Sequence, residues 1–102
     1  MEKLVRDKIP EIITKNWENC EYYIASYNEH VNRLLDKIVE ESIEVSKSSN
    51  NEELREEIAD VLEVIRTICE KNNIDLDEVE KIRLDKKEKK WWFDKGIVLT
   101  KY

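Results

Sequence analysis

Glycine and proline are almost missing from this chain, one of each in 102 residues. With so few breakers beside 41% charged and 40% hydrophobic residues, the composition is that of an all-α protein. Cysteine is scarce too. Cys20 and Cys69 stand far apart with no histidine nearby, which speaks against a disulfide framework or a zinc site and fits free thiols in a reducing cytoplasm. No apolar run is long enough to span a bilayer and no signal-peptide pattern is present, so membrane insertion and export are not expected. A basic stripe is also lacking. The net charge is −6 and the sequence pI about 4.9, which weighs against a nucleic-acid polymer as partner. A small phosphorylated ligand stays open, because a bound divalent cation inverts the local charge. Without repeats, low-complexity tracts or a long linker, residues 1–102 are expected to form one cytoplasmic domain. A domain this small buries a moderate fraction of its surface, so oligomerisation would help its stability.

What is present is helical periodicity. The first segment, Leu4 to Trp17, offers Asp7 as an N-cap, with Pro10 in the turn that follows, where its missing N–H costs nothing. Tyr22 to Ala25 reads as extended, and so does the tail from Gly96 to Thr100; the two segments are expected to pair. Between them, Asn28 caps a helix from Glu29 to about Ser48. Ser48-Ser49-Asn50-Asn51 is a turn, and Asn50 with Glu53 forms a capping-box pattern for a helix from Glu52 to Lys71. Asn72-Asn73 ends that helix, and Asp75 with Glu78 opens another that reaches about Trp92. Two long helices joined by a short turn are expected to be antiparallel neighbours in a helical bundle.

On the first long helix, Val31, Leu34, Leu35, Ile38, Val39, Ile43 and Val45 occupy one broad arc, while Lys37, Glu40, Glu41 and Glu44 follow the i, i+3, i+4, i+7 spacing of a face. Glu41 falls about 20° from Leu34 on the helical wheel, at the edge of the apolar arc. On the second, Ile58, Val61, Leu62, Val64, Ile65, Ile68 and Cys69 form the stripe expected to be buried. Glu57 falls between Val61 and Val64, with Asp60 one turn on. A carboxylate directed there is costly unless paired, neutralised or metal-bound. Four acids converging between helices call for a counter-ion, and a hard divalent cation suits them. Spacing alone leaves a solvated acidic face equally open, since Glu-x-x-Glu is common in a chain with 24 acids.

The order Lys37-x-x-Glu40-Glu41-x-x-Glu44, a 12-residue gap, then Glu57-x-x-Asp60 resembles the Glu-x-x-Glu…Glu-x-x-Asp signature of the all-α nucleotide pyrophosphohydrolases. That superfamily includes MazG, the dimeric dUTPases and phosphoribosyl-ATP pyrophosphohydrolase. The opening Lys3-Leu4-Val5-Arg6-Asp7-Lys8-Ile9-Pro10-Glu11-Ile12-Ile13 is similar to the start of a MazG-like subgroup of small single-domain proteins. The closing Lys86…Phe93-x-x-Gly96-Ile97-x-Leu99 is similar to its end. The resemblance implies hydrolysis of a nucleoside triphosphate to the monophosphate and pyrophosphate, and a homodimer or homotetramer. It implies Mg²⁺, with Mn²⁺ as a substitute, on Glu41, Glu44, Glu57 and Asp60. Glu40, or a ligand carboxylate such as Glu41, would take the proton from the attacking water, and Lys37 would either contact phosphate or serve as the i, i+4 partner of Glu41.

Lys86, Lys89 and Lys90 stand where related proteins place cations near the phosphates, although they belong to a basic run that also reads as a solvated face. Arg6 and Lys8, in the opening motif, serve packing as much as binding. Trp91-Trp92-Phe93 departs from the subgroup, which carries small, glycine-containing sequence there. Trp92 is either a stacking surface for a base or, more in keeping with common use, a hydrophobic plug or subunit contact. His30 is expected at the surface or in a capping position. The alternative to an enzyme is a non-catalytic helical interaction module that keeps the fold and uses Trp91 and Trp92 for a partner.

Overall fold

Four α-helices make up the regular structure of the computed structural model, which describes residues 2–102: α1 (Ile9–Lys15), α2 (Tyr27–Ser46), α3 (Asn51–Lys71) and α4 (Leu76–Lys90). No strand is present among the described residues. The segments 22–25 and 97–100 are irregular, with no backbone hydrogen bond between them. The pairing expected of them is therefore corrected, while the all-helical fold class holds.

Helix starts follow side-chain chemistry. Ser26, not Asn28, caps α2: its backbone is extended and its Oγ accepts from the Glu29 N–H at 3.3 Å. The Ser-x-x-Glu spacing at 26–29 thus supplies the cap, and Asn28 lies inside the helix. Asn50 caps α3 by accepting from Glu53 N–H at 2.9 Å, and Glu53 reaches back to accept from Ser49 N–H at 2.9 Å. Asp75 caps α4 through Asp77 N–H. Asp7 caps nothing: the residue at the N-cap of α1 is Lys8, in a right-handed helical conformation with no side-chain bond.

The ends of α1 and α3 use the left-handed backbone. Asn73 has φ +54°, and the N–H groups of Ile74 and Asn73 turn back to the carbonyls of Cys69 and Glu70 at 2.8 and 3.4 Å. This is the double bond of a Schellman motif. Trp17 closes α1 the same way, with φ +62°. The last helix stops at Lys90 rather than Trp92, because Trp91 leaves helical space at φ 69°, ψ −155°.

The organising contact is between α2 and α3. The four residues 47–50 join them, and the Tyr27 hydroxyl at the start of α2 donates to the Lys71 carbonyl at the end of α3, so the pair is an antiparallel hairpin. Its seam holds the buried residues Leu34 (3% exposed), Val64 (9%) and Cys69 (6%). The apolar arcs expected from periodicity divide in two. Val31, Ile38, Val45, Val61, Ile65 and Ile68 are half-buried, whereas Leu35, Val39, Ile43, Ile58 and Leu62 are exposed. The buried stripe anticipated for Ile58 and Leu62 is thus corrected: one partner helix covers only one flank of each arc. No helix among the described residues is long and apolar enough to cross a membrane.

Candidate functional site

The seam of the hairpin also carries acids. Glu41, in the C-terminal half of α2, faces Glu57 and Asp60, one turn apart on α3. One oxygen from each of the three carboxylates lies within 4.8 Å of the others, and all three residues are half-buried. The apolar flanks of both arcs hold them there, since the turns that place Leu34 and Val64 in the seam also bring Glu41 and Glu57 to its rim. Burial pushes the Glu57 carboxyl above its usual range, and the charges of Asp60, Glu44, Glu41 and Glu53 push it further. Glu44 therefore acts on the cluster electrostatically, while its side chain is exposed and outside the close trio.

The donor set suits a hard cation. Three carboxylate oxygens with no nitrogen or sulfur match the preference of Mg²⁺, whose octahedral shell at about 2.1 Å puts ligand oxygens roughly 3–4 Å apart. Without a cation, the cluster is a set of like charges at close range, which adds to burial in raising the Glu57 carboxyl.

Among the described residues, two cations border the trio. Lys37, only 16% exposed at its side chain, lies 3.3 Å from Glu40 and 3.7 Å from Glu41, and Glu40 itself is exposed. The second is Arg6, whose Nη2 donates to Asp60 Oδ1 at 2.7 Å. Sequence reasoning leaves Arg6 between packing and binding, and no local spacing could point it to Asp60, because 54 positions separate the partners. The N-terminal segment is laid along the hairpin at a second point as well. Arg33 of α2 donates to Glu2 and Glu29, at 2.8 and 3.0 Å, and more weakly to Tyr23.

The remaining candidates stand apart. Lys86, Lys89 and Lys90 are exposed on α4, and no hydrogen bond or ion pair among the described residues ties them to the acids. Trp92 lies under the Lys87 ammonium, 3.2 Å from its ring centre, and the Lys95 ammonium stands over Trp91 at 5.0 Å. These rings border an open cleft with Leu84, Lys90 and Ile97, and none of the trio lines it. Within one chain the acids and the aromatic cleft are thus separate features. His30 occupies the first turn of α2, half-buried, with its N–H on Ser26.

Neither a curated protein nor a solved structure matches the chain significantly. The family model of phosphoribosyl-ATP pyrophosphohydrolase does match, over residues 3–87; it spans the opening segment, the whole hairpin with its acids and most of α4, and stops short of Trp91 and Trp92. The chain belongs to that family.

Proposed function

We propose that the protein hydrolyses a nucleoside triphosphate to the monophosphate and pyrophosphate, in the manner of nucleotide-pool housekeeping. The convergence of Glu41, Glu57 and Asp60 between α2 and α3, in a chain of this family, carries the proposal. These three, with Glu44 from one turn on, would hold Mg²⁺ or, in its place, Mn²⁺. When bound, the cation polarises the phosphoryl oxygens, makes water more acidic and offsets the charge of the acids. The chain's own groups then do the following. Glu40, or a ligand carboxylate such as Glu41, accepts a proton from water as its oxygen bonds to phosphorus and the anhydride P–O bond breaks. Pyrophosphate leaves with that electron pair. Lys37, held beside Glu40 and Glu41, meets a phosphate oxygen.

The partners proposed are a nucleotide and further copies of this chain, in a homodimer or homotetramer located in the cytoplasm; neither a nucleic-acid polymer nor a membrane is among them. The uncovered face of Leu35, Val39, Ile43, Ile58 and Leu62 supports self-association. Lys86, Lys89, Lys90 and Trp92 would join a substrate pocket only as that assembly brings them near the acids.

A panel of ribo- and deoxyribonucleoside triphosphates, incubated with the protein and Mg²⁺ and scored for monophosphate and pyrophosphate, tests the activity and its substrate together. Product in equal amounts is expected from at least one nucleotide. Silence across the panel with Mg²⁺ and Mn²⁺ would favour the second reading, a non-catalytic interaction module, for which the exposed Trp91, Trp92 and Phe93 speak.

A further inference from the structure

Among the described residues, Arg6 and Lys37 are the two cations that touch the acidic trio, and they are built differently. Lys37 is mostly covered and faces two acids of its own helix. Arg6 comes from outside the hairpin, in the segment before α1, where its carbonyl accepts from Ile9 N–H at 3.0 Å. Its side chain is 61% exposed and makes one hydrogen bond among the described residues, to Asp60. A guanidinium offers five N–H donors in a rigid fork, so the remaining donors point away from Asp60 into solvent beside the trio. Arg33 is the contrast. Its donors are taken up by Glu2, Glu29 and Tyr23, and its side chain is 29% exposed, which is the pattern of a structural arginine.

Charge completes the case. The four carboxylates proposed as ligands, with one divalent cation and Lys37 beside them, still leave a negative site, and a polyphosphate brings more negative charge to it. A fixed positive group at the rim is needed, and one with spare paired donors matches phosphate oxygens in bidentate fashion. Asp60 has two oxygens with several lone pairs, so it can serve a cation and still orient Arg6.

We infer that Arg6 binds the pyrophosphate portion of the nucleotide at the acidic trio, with Asp60 as its positioning residue. This rests on the reading of the trio as a nucleotide site given above. Anion binding by Arg6 is nonetheless measurable without turnover. The competing role is that of a stand-in counter-ion, which neutralises the acids until a metal arrives and then has nothing to do.

The test is calorimetric titration of the full-length protein, as wild type, Arg6→Ala and Arg6→Lys, first with Mg²⁺ alone and then with pyrophosphate at saturating Mg²⁺. Loss of a charge-assisted hydrogen-bond pair is expected to weaken pyrophosphate about 10- to 100-fold in Arg6→Ala. Arg6→Lys should fall between, since it keeps the charge and loses the fork, and Mg²⁺ affinity should change little. An exposed ion pair contributes little to folding, so both variants should keep the wild-type melting temperature; Arg6→Lys carries the comparison if Arg6→Ala does not. Unchanged pyrophosphate affinity in both variants, with tighter Mg²⁺ binding in Arg6→Ala, would establish the counter-ion role and overturn the inference. Absence of pyrophosphate binding by the wild type would overturn it as well. Arg6-dependent pyrophosphate binding without hydrolysis of any nucleotide would sink the proposed activity and leave Arg6 an anion-binding residue.

Discussion

Glu57 is the residue at which folding and chemistry pull in opposite directions. Its carboxyl is pushed above the usual range by burial first and then by four neighbouring acids. A group with a higher pKa folded than unfolded binds more protons in the native state, so its effect on stability turns unfavourable as pH rises through that interval. Below the ordinary carboxylate value the penalty is absent. Above the raised folded value it is felt in full. Glu57→Gln removes the charge, and the expected outcome in the absence of divalent cations is a higher melting temperature at neutral pH, with the gap closing as the pH is lowered through the carboxylate range. Thermal melts across pH check this, and a lower melting temperature for the variant at neutral pH would show that Glu57 is held by favourable partners instead. Mg²⁺ should raise the melting temperature of the wild type more than that of Glu57→Gln. Turnover in the variant should fall by at least the roughly 10- to 100-fold typical of losing even an outer partner of a metal ligand.

Among the elements, the hairpin of α2 and α3 carries the fold, and its joint and its seam make separable contributions. Asn50→Ala removes the cap of α3 and should cost about 1 kcal/mol. Leu34→Ala opens the seam and should cost about 2–5 kcal/mol. Urea denaturation followed by circular dichroism measures both. Neither substitution touches a carboxylate, so Asn50→Ala should keep its affinity for Mg²⁺. Much of the hairpin was legible beforehand, because Asn50 with Glu53 and the Asn72-Asn73 stop are local signals whose chemistry acts within one turn. The start of α2 was legible only in part. Ser26 and Asn28 are both good caps, and the choice fell to Ser26, which has Glu29 three residues on. Which flank of each apolar arc is covered was not legible at all, because periodicity gives the direction of Leu34, Leu35, Ile58 and Val64 but not the number of helices available to cover them. Of the four acids expected to converge, Glu41, Glu57 and Asp60 come together while Glu44 lies outside the close trio, a distinction that helical spacing does not carry. The approach of Arg6 to Asp60 depends on the path of the chain through α1 and was not legible either.

At the scale of the whole molecule, the chain is extended. Its radius of gyration is 17.6 Å, against about 13 Å for a compact domain of 100 residues, and α4 contributes no buried residue. If the uncovered face of α2 and α3 is where copies of the chain meet, the melting temperature should rise with protein concentration. Leu62→Glu should then shift the sedimentation coefficient to that of a monomer and remove the concentration dependence. A melting temperature independent of concentration would mean that this face stays free. The two free thiols add a consequence for measurement. Cys20 is exposed and Cys69 is buried in the seam, so an alkylating reagent should take one equivalent at once and the second only when α2 and α3 part. The slow phase then reports the opening equilibrium of the hairpin, and its retardation by Mg²⁺ or by nucleotide would time, without any engineered label, how firmly a ligand latches the two helices together.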